Sequence, residues 1–165
     1  MKANVFSIKK LTCLLLALVV VFGGVTAVSA ATKGFYFTYN KTKAVPGSNA
    51  ASFIKAAGKA SKTTKKNSCA TKGYDYTYKY ADFTLVTYTE KKTKTATQYV
   101  LSVEITSDKV KTPEGVTIGS SEAAVKKAYK GAKAIAGVYT ATKGSSKVSI
   151  EVKDDKVTSI KILKK

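Results

Sequence analysis

The 165-residue chain has no histidine and no tryptophan, and all 29 of its basic residues are lysine. Without imidazole, a serine or cysteine nucleophile has no ordinary general base. A zinc or transition-metal site would have to be assembled from one cysteine and scattered carboxylates. No glycine-rich loop is followed by Lys-Ser/Thr, so the phosphate loop of nucleotide hydrolases is missing; Gly115 and Gly119 read as turn residues. The one adjacent acidic pair, Asp154 and Asp155, reads as a turn rather than as the paired carboxylates of a glycosidase. These absences predict a protein that is not an enzyme, with no catalytic residue, no cofactor and no metal.

Cysteine is nearly missing too: the chain holds only Cys13 and Cys69. Cys13 stands at the start of an apolar run, not at its end where a lipoprotein cysteine would sit. Cys69 has no intramolecular partner once the leader is removed, so core burial alone must hold the fold. It reads first as a buried, inert thiol, with a free thiol or a pairing between molecules as the alternatives.

The N-terminus carries an address. Lys2, Lys9 and Lys10 precede an apolar run at residues 11–28, and Val28, Ser29 and Ala30 are the small residues of a cleavage point. This layout predicts a secretory signal peptide over residues 1–30, cut between Ala30 and Ala31; an uncleaved anchor is the alternative. No later apolar run is long enough for a membrane span, so the mature protein is expected to be secreted or associated with the cell surface. About 135 residues then remain, one ordinary domain. Removing the three leader lysines leaves 26 lysines against 10 acids, a charge of +16. Such a charge argues for anionic partners outside the cell: wall polymers, anionic lipid or acidic glycans. Nucleic acid is not expected, because of the compartment. Without arginine the recognition is of the point-charge kind rather than bidentate. Solubilising a domain rich in Ala, Thr and Val is the plainer use of the same lysines.

A short phrase occurs twice, at residues 45–59 and 117–131. At an offset of 72, Gly47-Ser48 falls on Gly119-Ser120, and in each copy a turn glycine and a capping serine or asparagine precede a short Ala/Lys-rich helix. The helices are expected at residues 49–59 and 121–130. Residues 34–39 are aromatic and β-prone, with a turn beginning at Asn40. Residues 60–68 contain no apolar anchor and read as a mobile loop. Strict alternation places Tyr74, Tyr76, Tyr78 and Tyr80 on one face of a strand, with Asp75, Thr77 and Lys79 on the other. Further strands are expected at 83–89 and 99–106, then at 137–142, 147–153 and 156–163, with Asp154-Asp155 as the last hairpin turn. Phe83 matches Val148, and residues 100–105 match 157–162. The reading is an α+β domain of two tandem αβββ repeats, 31–111 and 112–165. Short helices should cover one face of an antiparallel sheet and leave the other open to a partner.

This order of elements, repeated behind a signal peptide, resembles the β-lactamase-inhibitor-protein fold. Per repeat it is similar to the small outer-membrane assembly lipoproteins of the SmpA/OmlA group. The stretches at residues 67–78, 112–119 and 155–160 also look like secreted proteins of Gram-positive gut bacteria. The resemblance implies the fold and, through the inhibitor family, inhibition of an extracellular enzyme. Two features are candidates for binding an extracellular protein or an anionic envelope polymer. One is the row Tyr74, Tyr76, Tyr78 and Tyr80, because tyrosine dominates protein interfaces and stacks on sugars; its structural role would be packing against the first helix. The other is lysine density at residues 55–72 and 126–133.

Overall fold

Short runs of alternating apolar and polar side chains cannot bury themselves singly and must pair edge to edge. The computed structural model describes residues 34–165, and the leader expected at 1–30 lies outside the described residues. A small hairpin comes first, β1 (Phe37–Tyr39) and β2 (Thr42–Ala44), turned by Asn40 and Lys41 at φ 45° and 62°. Then follow α1 (Ala51–Ala57), β3 (Lys62–Asn67), β4 (Tyr74–Lys79), β5 (Phe83–Tyr88) and β6 (Tyr99–Ile105). The remaining elements are α2 (Glu122–Ala128), β7 (Lys133–Ile135), β8 (Val138–Lys143), β9 (Ser146–Lys153) and β10 (Lys156–Lys164). The eight longer-sheet strands lie in the order β3-β4-β5-β6-β10-β9-β8-β7, antiparallel throughout. The class is α+β. Among the described residues no helix is long and apolar enough to cross a membrane.

Each helix is followed by four strands, not the expected three. The loop expected at 60–68 is strand β3, paired with β4 from Lys62↔Lys79 to Asn67↔Tyr74. All six of its residues are exposed. A strand with neither face buried carries no hydrophobic period, and backbone pairing alone defines it. β7 carries no sequence signal for the same reason, being three exposed residues. Both helices are shorter than expected. Asn49 stays outside α1 and bridges Tyr99, its Oδ1 accepting from the Ala51 N–H at 2.9 Å, while Ala50 occupies the N-cap without a side-chain bond. α2 is capped as expected, by Ser121 Oγ accepting from the Ala124 N–H. Asp154 and Asp155, at φ 50° and 57°, turn β9 into β10 in the left-handed conformation that a two-residue hairpin requires.

One core lies between the helices and one face of the sheet. Phe53 is the buried residue of α1 and Val125 that of α2. Both join Phe83, Leu85, Val103, Ile105, Val148, Ile150, Ile160 and Ile162 in the same cluster. The β1–β2 hairpin closes it with Phe37, 5.0 Å from Phe83 and 6.1 Å from Phe53 between ring centroids. The opposite sheet face, with Thr84, Val86, Glu104, Lys161 and Ser149, stays at least partly open.

The two helices are entered alike. Gly47 N–H donates to Val100 O at 2.7 Å and Gly119 N–H to Val157 O at 2.8 Å. Val100 N–H donates to Ser48 O and Val157 N–H to Ser120 O, both at 2.8 Å. Both glycines have positive φ, 87° and 82°. The register slips in β6 beside Leu101 and in β10 beside Thr158, one residue past each of those valines.

Candidate functional site

The alternation of β4 leaves the face of the tyrosine row undetermined; the pairing fixes it. Tyr78 lies opposite Leu85 and Tyr76 opposite Thr87, so the row stands on the helix-bearing face, not on the open one. The row is graded. Tyr80 stacks on Phe83 at 4.6 Å, and its hydroxyl is buried without a hydrogen-bond partner. Tyr78 donates its hydroxyl to Gln98 Oε1 at 2.9 Å. Burial pushes both phenols above their ordinary pKa; at Tyr78 the Gln98 bond works against that shift, and at Tyr80 the neighbouring Tyr78 adds to it. Tyr76 and Tyr74 run out past α1 towards the loop side, with successive centroids 6.4 Å apart along Tyr78, Tyr76 and Tyr74. Lys65, opposite Tyr76 on β3, holds its ammonium 3.6 Å from the Tyr74 centroid and 5.6 Å from that of Tyr76. Lys92 adds a second cation 5.7 Å from Tyr74. Where the row meets α1, a groove of about 460 Å³ is lined by Asn49, Ile54, Lys55, Tyr78, Thr97 and Gln98, among others.

A cleft of about 710 Å³ lies towards the other end of the sheet. β7 pairs with β8 only over Val138 to Thr140, so the edge of β8 from Ala141 to Lys143 is uncovered. Lys127 and Lys130 from the end of α2 and just beyond it, Lys133 of β7 and Lys143 of β8 converge on the cleft that this leaves. Glu114 is the one acid in its lining, and its Oε2 accepts from the Tyr129 hydroxyl at 2.9 Å. Burial drives the Tyr129 phenol far above its ordinary pKa. Lys126, inside the same lysine-dense stretch, turns away to pair with Glu122 at 2.9 Å. Glu122 also accepts from the Tyr139 hydroxyl, and these two bonds hold its carboxyl below the usual range. Lysine density thus marks three of the four cleft lysines; Lys143 is brought in by the β8–β9 hairpin, which local composition does not announce.

On the open face, Lys164 donates to the Tyr88 hydroxyl at 2.9 Å beside Asp75, whose Oδ1 is buried without a hydrogen-bond partner. Cys69 is exposed, contrary to the expectation of a buried thiol, because the short connection between β3 and β4 has no layer above it. Among the described residues no group of three or more Cys, Asp or Glu could hold a metal ion. No family model matches the chain, and no curated protein or solved structure is significantly similar to it.

Proposed function

We propose that the chain is a secreted, non-enzymatic binding module that attaches to an anionic polymer of the cell envelope. The observation that carries this reading is the cleft at which Lys127, Lys130, Lys133 and Lys143 meet around a single carboxylate. Four ammonium groups supplied by the end of α2 and just beyond it, by β7 and by β8 make a preformed positive site, whereas the same lysines spread over a surface would only solubilise it. A phosphate-bearing polymer needs point charges rather than bidentate forks, which suits a chain without arginine.

The scaffold of this module is a tandem duplication in which each half consists of one helix and four strands. The equivalent bonds at Gly47 and Gly119 and the paired register slips beside Leu101 and Thr158 support that origin. The two halves meet at β6 and β10, the central pair of the sheet. A second reading, inhibition of an extracellular enzyme, is favoured by the partly exposed tyrosine row, since rigid aromatic side chains are common interface anchors.

Co-sedimentation of residues 31–165 with purified Gram-positive walls tests the first reading, at low and high salt, with and without the anionic polymers. Retention that requires low salt and the polymers is the expected result, and Lys130→Glu with Lys133→Glu should abolish it. Retention indifferent to salt and to the polymers would favour a specific protein surface. No retention would remove the envelope from consideration.

A further inference from the structure

We infer that the row Tyr74, Tyr76 and Tyr78, together with the groove that adjoins it at Tyr78, is a second binding site, for an acidic polysaccharide strand carrying carboxylates on its sugar rings. The site lies along β3 and β4 beside α1 and shares no lining residue with the lysine cleft.

The argument begins with what a row of tyrosines offers beyond the core. Tyr80 and the inner edge of Tyr78 already serve packing, against Phe83 and the core cluster. Tyr76 and Tyr74 do not belong to that cluster, yet they continue the row at 6.4 Å steps, Tyr76 within 15° of the plane of Tyr78 and Tyr74 turned 74° from Tyr76. Aromatic rings repeated along a strand suit a ligand that is itself repetitive and has weakly polar C–H faces to lay against them. The rings are flanked by groups that both donate and accept. Thr63 and Asn67 stand opposite Tyr78 and Tyr74 on β3, and Asn49, Thr97 and Gln98 line the groove by α1. A ligand dense in hydroxyls finds partners on both sides of the row.

Charge selects within the carbohydrates. Lys65 and Lys92 hover over Tyr74, Lys65 also reaches Tyr76, and Lys55 lines the groove. No acidic residue lines the groove, and none stands on this face of the β3–β4 pair. A neutral glycan would leave these ammonium groups without a counter-charge, whereas ring-borne carboxylates would pair with them beside the aromatic row. An acidic peptide is disfavoured, because apart from Ile54 and small alanines the groove has no deep apolar pocket to seat an anchor side chain. A bare phosphate polymer has no use for the rings.

The experiment is calorimetric titration of residues 31–165 with a galacturonate hexamer, its uncharged methyl ester, a glutamate oligopeptide and polyphosphate. The hexamer should bind, and its methyl ester should bind at least about tenfold more weakly. Tyr76→Ala should weaken hexamer binding by roughly tenfold, the scale of one lost stacking contact. Tyr76→Phe should retain binding, and Lys65→Met should weaken it should Tyr76→Ala prove unfolded. Lys130→Glu with Lys133→Glu should leave hexamer affinity within about twofold while removing polyphosphate binding; this separates failure here from failure of the lysine-cleft reading. The inference is overturned if the hexamer does not bind. It is equally overturned if Tyr76→Ala and Lys65→Met change nothing, if the lysine-cleft variant loses the hexamer as well, or if the glutamate oligopeptide binds the row more tightly than the hexamer.

Discussion

The Tyr78 hydroxyl and the Thr87 hydroxyl both donate to Gln98 Oε1, at 2.9 and 2.7 Å. Gln98 is thereby the clamp that joins the tyrosine row to the core, for Thr87 is fully buried. Gln98→Leu strands the Thr87 hydroxyl and should cost about 2 kcal/mol, the usual penalty for a buried donor without a partner. Gln98→Glu keeps an acceptor in place and should cost less. Urea unfolding of the two variants checks the order; equal losses would mean that packing, not the shared acceptor, sets the effect.

Tyr80 supplies the opposite case. Its hydroxyl is buried and unbonded while its ring stacks on Phe83. Tyr80→Phe removes only the oxygen and should stabilise the fold by about 1 kcal/mol, read as a higher urea midpoint at unchanged slope. A drop in the midpoint would show that the hydroxyl is satisfied in solution.

Gly73 cannot be replaced. A Cβ there would lie 2.0 Å from Thr89 O, the backbone that closes the start of β4 against the end of β5. Neither atom is free to yield, because Thr89 N–H donates to Tyr74 O at 2.8 Å in the same stretch. Gly73→Ala should destabilise by about 3 kcal/mol and raise amide exchange in β4 before it does so in β9.

Alkaline pH should unfold the protein through its phenols. Burial raises Tyr129, Tyr78 and Tyr80, and the bond to the Glu122 carboxylate raises Tyr139. A phenol whose folded pKa lies above its unfolded value contributes stability that is complete below that unfolded value, near 10, and is lost as pH rises towards the folded one. Stability should therefore fall from about pH 10 upwards, and Tyr129→Phe should flatten that fall. Phenolate absorbance checks it: in the folded protein a late-titrating group of tyrosines should vanish on denaturation.

Much of this architecture is written in local pattern. The strict alternation of Tyr74, Tyr76 and Tyr78 places β4, the triplet Val148, Ile150 and Val152 places β9, and Asp154-Asp155 places their neighbouring turn. The phrase around Gly47 and Gly119 marks both helix entries. What stayed hidden is what local chemistry does not encode. β3 is Lys-Thr-Thr-Lys-Lys-Asn, in which no side chain is buried, so only its pairing with β4 reveals it. The face taken by the tyrosines follows from their register against Leu85, a relation between strands that alternation within one strand cannot supply. Lys143 joins Lys127, Lys130 and Lys133 only because a hairpin folds it there.

The two ends of the sheet have a further consequence. β3 presents an unpaired row of backbone donors and acceptors, guarded by Lys62, Lys65 and Lys66, while β7 is guarded chiefly by its brevity. Mutual repulsion between like-charged rims should keep one molecule from extending another's sheet. A polyanion that neutralises those three lysines would lift the repulsion, so a ligand added in the right proportion would also act as a template for fibrous self-assembly. Turbidity should then peak near charge equivalence and clear in excess polymer, and charge reversal at Lys65 and Lys66 should move that peak.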